Sequence, residues 1–239
     1  MSDLFDERDQ HFLKWREANP GKSYAQYQTG NGLRSLERGD DHATLGPKLR
    51  KYPNWWEAGT RTFERLKGLS GLREDGKVLD YGCGSLRIGG HFIRHLQPEH
   101  YFGVDVTDGF YEMGKELIGA EMMADKRPRF AVIGEESLND GVAFGADVVI
   151  SSAVSYHVHP TETAIYYGNL QRLTCKPGAR LLFDASISDV PLRNKSWCWP
   201  LDFYVQSLPE LKFLGMDGGR VREDGTNFAM GVLQFERAP

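Results

Sequence analysis

The sequence predicts an α/β sandwich, a mostly parallel sheet with helices on both faces, and three observations carry that prediction. Lys77-Val78-Leu79-Asp80-Tyr81-Gly82-Cys83-Gly84-Ser85-Leu86-Arg87 is an apolar run that reaches an acid, then two alternating glycines, then a helix-compatible stretch. Ala146-Asp147-Val148-Val149-Ile150-Ser151-Ser152 is continuously apolar after its opening acid, as strands buried on both faces are. Between and beyond these runs, strand and helix patterns alternate, the order that builds a parallel sheet with crossover helices.

The elements follow in order. Phe12 and Trp15 with their flanking charges read as a short amphipathic helix before Asn19-Pro20-Gly21. Residues 23 to 46 are polar and poor in residues that pack. Trp55-Trp56, Phe63, Leu66 and Leu69 then begin a helix expected to dock on the sheet. After the glycine turn, Ile88, Phe92, Ile93 and Leu96 repeat at helical spacing and Pro98 closes them. Tyr101 to Asp105 is a short strand ending in an acid, and Arg129 to Ile133 is a third strand. The fourth strand runs into Ala153-Val154-Ser155-Tyr156-His157-Val158-His159-Pro160 and a helix over Thr161 to Leu173. Pro177-Gly178 turns the chain into a fifth strand, Ala179 to Asp184. Leu201 to Leu208 reads as a helix, and Leu211 to Met216 with Phe228 to Phe235 as an antiparallel pair closing the sheet edge.

Two details of the glycine turn select its ligand. A dinucleotide fingerprint wants a third glycine where this chain has Arg87. A pyrophosphate also sits at a helix N-terminus, where the carboxylate of Asp80 would repel it. An acid at that place suits a cation. The pattern resembles motif I of class I S-adenosylmethionine-dependent methyltransferases, whose cofactor carries a sulfonium and an ammonium group and no phosphate. The resemblance covers roughly Lys77 to Asp184 and includes the Lys176-Pro177-Gly178 turn before the fifth strand. It implies a Rossmann-like three-layer sandwich with a seven-stranded, mostly parallel sheet and an antiparallel edge strand.

On that resemblance Gly82, Cys83 and Gly84 cradle the cofactor, Asp80 takes its amino group, and Asp105 accepts both ribose hydroxyls. Glu135 is placed near the adenine amino group, and Ser151 ends the fourth strand beside the cofactor. Arg87 has three readings: it binds the methionine carboxylate, reaches an acidic acceptor, or is a helix-surface arginine. His157, just beyond the fourth strand, is the expected general base for a hydroxyl acceptor; the alternative is a ring packed under the following helix. Asp184, at the exit of the fifth strand, is a second candidate base or an acid that orients the acceptor.

Residues 1–75 are expected to form a lid over the site, and residues 76–239 the cofactor-binding domain. A polar segment between anchored helices can close over a bound ligand and exclude water. Tyr24, Tyr27 and His42 are its candidate acceptor-binding residues, and Arg34 and Arg38 would face a phosphorylated acceptor.

The 239 residues carry a formal net charge of −4, with 29 Lys and Arg scattered among 33 Asp and Glu. No basic cluster interleaved with aromatics marks a nucleic-acid footprint, so the expected partner is a small molecule. Three cysteines without metal-ligand spacing fit a reduced, cytoplasmic protein. No apolar stretch reaches membrane-spanning length, and no carboxylate cluster points to a metal. The expected activity is therefore metal-independent methylation of a small molecule, with O-methylation of a sugar or secondary metabolite leading. An N-methyltransferase, a non-catalytic cofactor binder and an NAD(P)-dependent oxidoreductase are the alternatives.

Overall fold

In the computed structural model, residues 7–37, 55–194, 196–218 and 228–239 are described. The chain opens with three helices, α1 (Glu7–Ala18), α2 (Tyr24–Glu37) and α3 (Trp55–Ser70). The alternating core follows as β1 (Val78–Tyr81), α4 (Gly89–His95), β2 (Tyr101–Asp105), α5 (Asp108–Ile118), α6 (Ala120–Lys126) and β3 (Arg129–Val132). It continues through α7 (Glu135–Phe144), β4 (Val148–Ser151), two 3-10 turns (Ser155–His157 and Pro160–Glu162), α8 (Thr163–Leu173) and β5 (Arg180–Ser188). A hairpin of β6 (Leu192–Asn194) and β7 (Ser196–Cys198), then α9 (Leu201–Gln206), β8 (Leu211–Asp217) and β9 (Phe228–Arg237), complete it.

The seven-stranded sheet has the order β3-β2-β1-β4-β5-β9-β8. Pairing is parallel from β3 through β5, and β9 runs antiparallel between β5 and the outermost β8. The order reverses direction between β1 and β4, which opens a crevice beyond their carboxyl ends, the usual place for a ligand in an open α/β sheet.

Both faces of the central strands are buried because successive side chains alternate between them. Leu79 and Tyr81 point into a core shared with Leu138, Tyr167, Leu170 and Phe183. Val78 points the other way, with Tyr101, Phe63, Leu66, Phe92 and Ile93. Asp80 belongs to this second face by the same alternation and is itself buried. α3 docks as its apolar spacing predicts. Gly59 lies so close to the Arg87 carbonyl that a Cβ there would overlap it.

Two features depart from the sequence reading. Residues 24–37 are helical although Gly30 and Gly32 lie within the element. Glu162 provides the local cause: its carboxylate accepts from the Tyr24 N–H at the first turn of α2, satisfying a donor a helix start leaves open. The β6–β7 hairpin gave no sequence signal, yet it places Trp197 fully inside the core.

Candidate functional site

The glycine turn departs from β1 with Gly82 at φ 83° and Gly84 at φ 53°, the left-handed region that glycine enters without penalty. A Cβ on Gly82 would meet Val154 Cγ2 at 2.5 Å, so the turn is also packed against the loop after β4. The backbone N–H groups of Gly82 and Cys83 both donate to the Val104 carbonyl, at 2.7 and 3.1 Å, which fixes the turn on β2. Beside the turn, two residues without glycine's freedom share its conformation: Leu86 at φ 59° and Ala153 at φ 61°. Such strain persists only where surrounding structure enforces it. Leu86 is held by full burial, and Ala153 by its N–H donating to Asp184 Oδ2 at 2.9 Å.

The turn lies on a cavity of about 1030 Å³. Asp80, Asp105 and the turn from Gly82 through Ser85 form one part of its wall. Val106, Phe110 and Ile133 give an apolar patch, and Ser152 to Val154 with Tyr156 and His157 form the side beyond β4. The residues around the start of α2, including Tyr24, Gln28 and Thr29, line it from the N-terminal segment.

Its carboxylates are built in different ways. Asp105 Oδ2 accepts from the Gly84 N–H and Oδ1 from the Val106 N–H, each at 2.8 Å, so the group is aimed by backbone. Burial raises its pKa above the usual carboxylate value, and those backbone donors oppose the rise. Asp80 Oδ2 accepts from the Tyr101 hydroxyl at 2.7 Å. Burial pushes Asp80 up to about 7; the Tyr101 hydrogen bond works against this and the nearby Asp105 charge adds to it. A buried carboxylate that faces a cavity and is costly to charge on its own is a place for a cation.

His157 is exposed to the cavity and hemmed in by protein. That enclosure, with the positive charge of Arg193, lowers its pKa below the ordinary imidazole value. Its ring meets Tyr156 edge to face at 4.6 Å. Tyr156 is raised to about 12 by burial and by Asp184, against the opposing charge of Arg87. Asp184 itself stands behind the loop. Its Oδ2 accepts from Ser152 Oγ at 2.6 Å and from the Ala153 N–H, and its carbonyl accepts from Ser155 Oγ. From there it holds the His157 loop in shape.

Of the predicted residues, Asp80, Gly82, Cys83, Gly84, Arg87, Asp105, His157 and Tyr24 are brought to one cavity. Asp184, the second candidate base, is not on that lining but behind the loop, bound to Ser152 and Ala153, and three further expectations are corrected. Glu135 is in the first turn of α7 with its carboxylate in solvent, paired with Arg172 at 2.7 Å; Ile133 occupies the cavity wall at that end. Ser151 is fully buried, its Oγ donating to the Tyr81 carbonyl and accepting from Tyr166 at 2.8 Å, so it ties β4 to β1 and α8. Tyr27 packs on Phe12 and Trp15, with ring centroids at 5.6 and 5.2 Å, between α1 and α2. His42 and Arg38 lie outside the described residues, as does the side chain of Arg34.

Sequence reasoning missed Tyr101, Tyr156, Glu162 and Arg193. Tyr156 adjoins the histidine that was singled out and shares its loop. The other three reach the site from β2, the turn before α8 and β6, with no local pattern to mark them. His159, by contrast, is fully buried among Phe12, Tyr24 and Trp197, and its Nδ1 accepts from the Thr161 N–H. It shapes the turn that carries Glu162. Among the described residues, no group of three or more His, Cys, Asp or Glu side chains is arranged to hold a metal ion. Among the same residues, no helix is long and apolar enough to cross a membrane.

Neither a family model nor a curated protein matches the sequence. Solved structures do match the fold. The magnesium protoporphyrin IX methyltransferase ChlM from Synechocystis PCC 6803, with bound SAM, is 14% identical at a TM-score of 0.58, over 90% of this chain and 95% of that one. Geranyl diphosphate C-methyltransferase from Streptomyces coelicolor A3(2), in complex with S-adenosyl-L-homocysteine, is 13% identical at 0.57, over 83% and 90%. The [4+2]-cyclase SpnF is 12% identical at 0.59, over 76% and 82%. The chain therefore has the Rossmann-like fold of class I S-adenosylmethionine-dependent methyltransferases. That fold also carries a cyclase, so the reaction has to be argued from the site.

Proposed function

We propose that this chain is an S-adenosylmethionine-dependent methyltransferase of a small molecule, and that it methylates a hydroxyl oxygen. One observation carries the reading: a glycine turn in the left-handed region, a backbone-aimed acid and a buried acid whose pKa burial raises all face one cavity at the sheet's switch point. The residues fit the cofactor. Asp105 has lone pairs left for two ribose hydroxyls, and Val106, Phe110 and Ile133 offer the apolar surface a purine stacks on. Asp80 supplies the negative charge an ammonium group needs, and the glycines let the backbone lie close beneath it.

When bound, the cofactor supplies a methyl group on a positively charged sulfur. The chain's part is to orient the acceptor and manage its proton. His157, neutral at physiological pH because burial and Arg193 disfavour its charged form, takes the hydroxyl proton on a ring nitrogen. Asp184 acts as a positioning residue through Ser152 and Ala153. The start of α2, pinned on Glu162, covers the cavity from the N-terminal side. In this reading residues 1–75 are the lid, and water exclusion strengthens each polar contact inside.

The test is calorimetric titration with S-adenosylmethionine and S-adenosylhomocysteine, wild type beside Asp105→Ala and Gly84→Val. Micromolar binding that both substitutions abolish is expected. No binding of either ligand by the wild type overturns the reading.

A further inference from the structure

Resting on the methyltransferase reading, we propose that Asn169 and Tyr81 read the adenine edge of the cofactor. The Asn169 side-chain carbonyl accepts from the 6-amino group, and the Tyr81 hydroxyl donates to the neighbouring ring nitrogen N1. The side chains after β3 do not supply these partners: Glu135 turns to Arg172, and Ile133 gives the cavity an apolar wall there. The helix α8 does. Arg172, which holds Glu135, and Asn169, three residues earlier, share one face of that helix, and Asn169 is the one that lines the cavity.

Asn169 Nδ2 donates to the Tyr81 hydroxyl at 3.0 Å, joining α8 to the end of β1 across 88 residues. Both residues line the cavity together with Val106, Phe110 and Ile133, the apolar surface for the purine. Their bond uses an amide N–H and a phenolic lone pair. Among the described residues, neither the amide oxygen nor the phenolic hydrogen has a partner. The pair therefore offers an acceptor beside a donor, and adenine carries the complement, an amino donor beside an acceptor nitrogen. Tyr81 is held in place for this. It is buried, its ring meets Tyr166 edge to face at 5.7 Å, and its carbonyl accepts from Ser151 Oγ. Burial raises its pKa, against the Asn169 hydrogen bond and with the charges of Asp105 and Glu162, so the phenol keeps the proton it donates. The Asp105 contribution also sets the hydroxyl within the field of the acid read as the ribose ligand. A purine that lacks either group leaves a buried polar atom of this pair without a partner, which a built site penalises.

The experiment uses the full chain and three ligands: S-adenosylhomocysteine, its analogue with hydrogen in place of the 6-amino group, and its 1-deaza analogue with C–H in place of N1. Calorimetry is expected to show the wild type binding each analogue at least about tenfold more weakly than the parent. Asn169→Leu then binds the parent and the deaminated analogue alike, and Tyr81→Phe binds the parent and the 1-deaza analogue alike. A pair that only ties α8 to β1 behaves differently: either substitution weakens all three ligands by one factor. Equal binding of the three ligands by the wild type, or a preference that survives in its matched variant, overturns the inference. Failure of the wild type to bind S-adenosylhomocysteine instead removes the methyltransferase reading beneath it. Should a variant not fold, the wild type holding S-adenosylhomocysteine labelled with nitrogen-15 at N1 decides by its resonance. An upfield shift from the free ligand supports the hydrogen bond to N1, and an unmoved resonance overturns it.

Discussion

The hydroxyl of Tyr101 donates to the buried Oδ2 of Asp80 at 2.7 Å, joining the first residue of β2 to the acid that ends the apolar part of β1. Gly89 makes room for the pair, since a Cβ there would overlap the Tyr101 hydroxyl and come within 3.3 Å of Asp80 Oδ2. The site's most perturbed carboxylate therefore depends on a contact between two strands and a helix start.

Asp80 makes the free protein's stability fall with rising pH. Its pKa is about 7 in the folded chain and 3.8 in the unfolded one, so the folded state binds the extra proton between those values. Its contribution is full below pH 3.8 and lost as pH rises to about 7, on the order of 4 kcal/mol in total. Asp80→Asn should flatten that part of the thermal-melting profile. A cationic ligand reverses the preference, so S-adenosylmethionine should bind more tightly as pH rises to 7 and release protons below it. Calorimetry in buffers of different ionisation enthalpy counts those protons; zero release would refute the contact.

Gly82→Ala places a methyl group 2.5 Å from Val154 Cγ2 and forces an L-residue to φ 83°. The expected cost is about 1–3 kcal/mol of stability and a larger loss of cofactor affinity, because the turn and the loop after β4 move together. Denaturant unfolding and titration of the same variant separate the two effects. Wild-type behaviour in both would mean that the turn adapts freely.

His157→Gln should lower kcat by about 10² to 10⁴ if the acceptor is a hydroxyl, with cofactor affinity unchanged. Burial first, and Arg193 second, hold the imidazole below its usual pKa, so activity should rise with pH along an acidic limb centred below that of an ordinary imidazole. Arg193→Met removes the cation and should move that acidic limb upward. A pH–rate profile with the same acidic limb in both proteins would remove His157 from the chemistry.

Asp9 is fully buried and 3.7 Å from Arg193, so it links α1 to the β6–β7 hairpin. Asp9→Ala leaves Arg193 without this carboxylate, at an expected cost of about 3 kcal/mol. Limited proteolysis should then cut the N-terminal segment sooner, while cofactor still binds. Unchanged cleavage would mean that the aromatic cluster of Phe12, Tyr24 and Trp15 holds the helices without the ion pair.

Much of the fold is written locally. The apolar runs of β1, β4 and β5, the glycine turn and the helix of Phe63, Leu66 and Leu69 each satisfy a periodicity visible within about ten residues. Asp105 is legible for the same reason, as an acid ending a short strand at a fixed remove from the glycines. Glu135 was misplaced because a strand exit does not state where the next helix begins. One residue of helix N-terminus turns its side chain towards Arg172 and away from the cavity. Ser151 and Tyr27 are polar or aromatic side chains whose partners, Tyr81 and Tyr166, or Phe12 and Trp15, are selected by packing.

The sequence by itself determined the alternation of strand and helix, the parallel core and the turn that approaches a ligand, because each follows from backbone sterics and hydrophobic spacing along a few neighbouring residues. Only the tertiary structure decided which charges share the cavity. Tyr101 reaches Asp80 across 21 residues, Asp184 reaches Ser152 across 32, and Glu162 reaches Tyr24 across 138. Electrostatic environment depends on distance in space, and burial, the largest influence on both Asp80 and His157, comes into being only when the distant segments close around them.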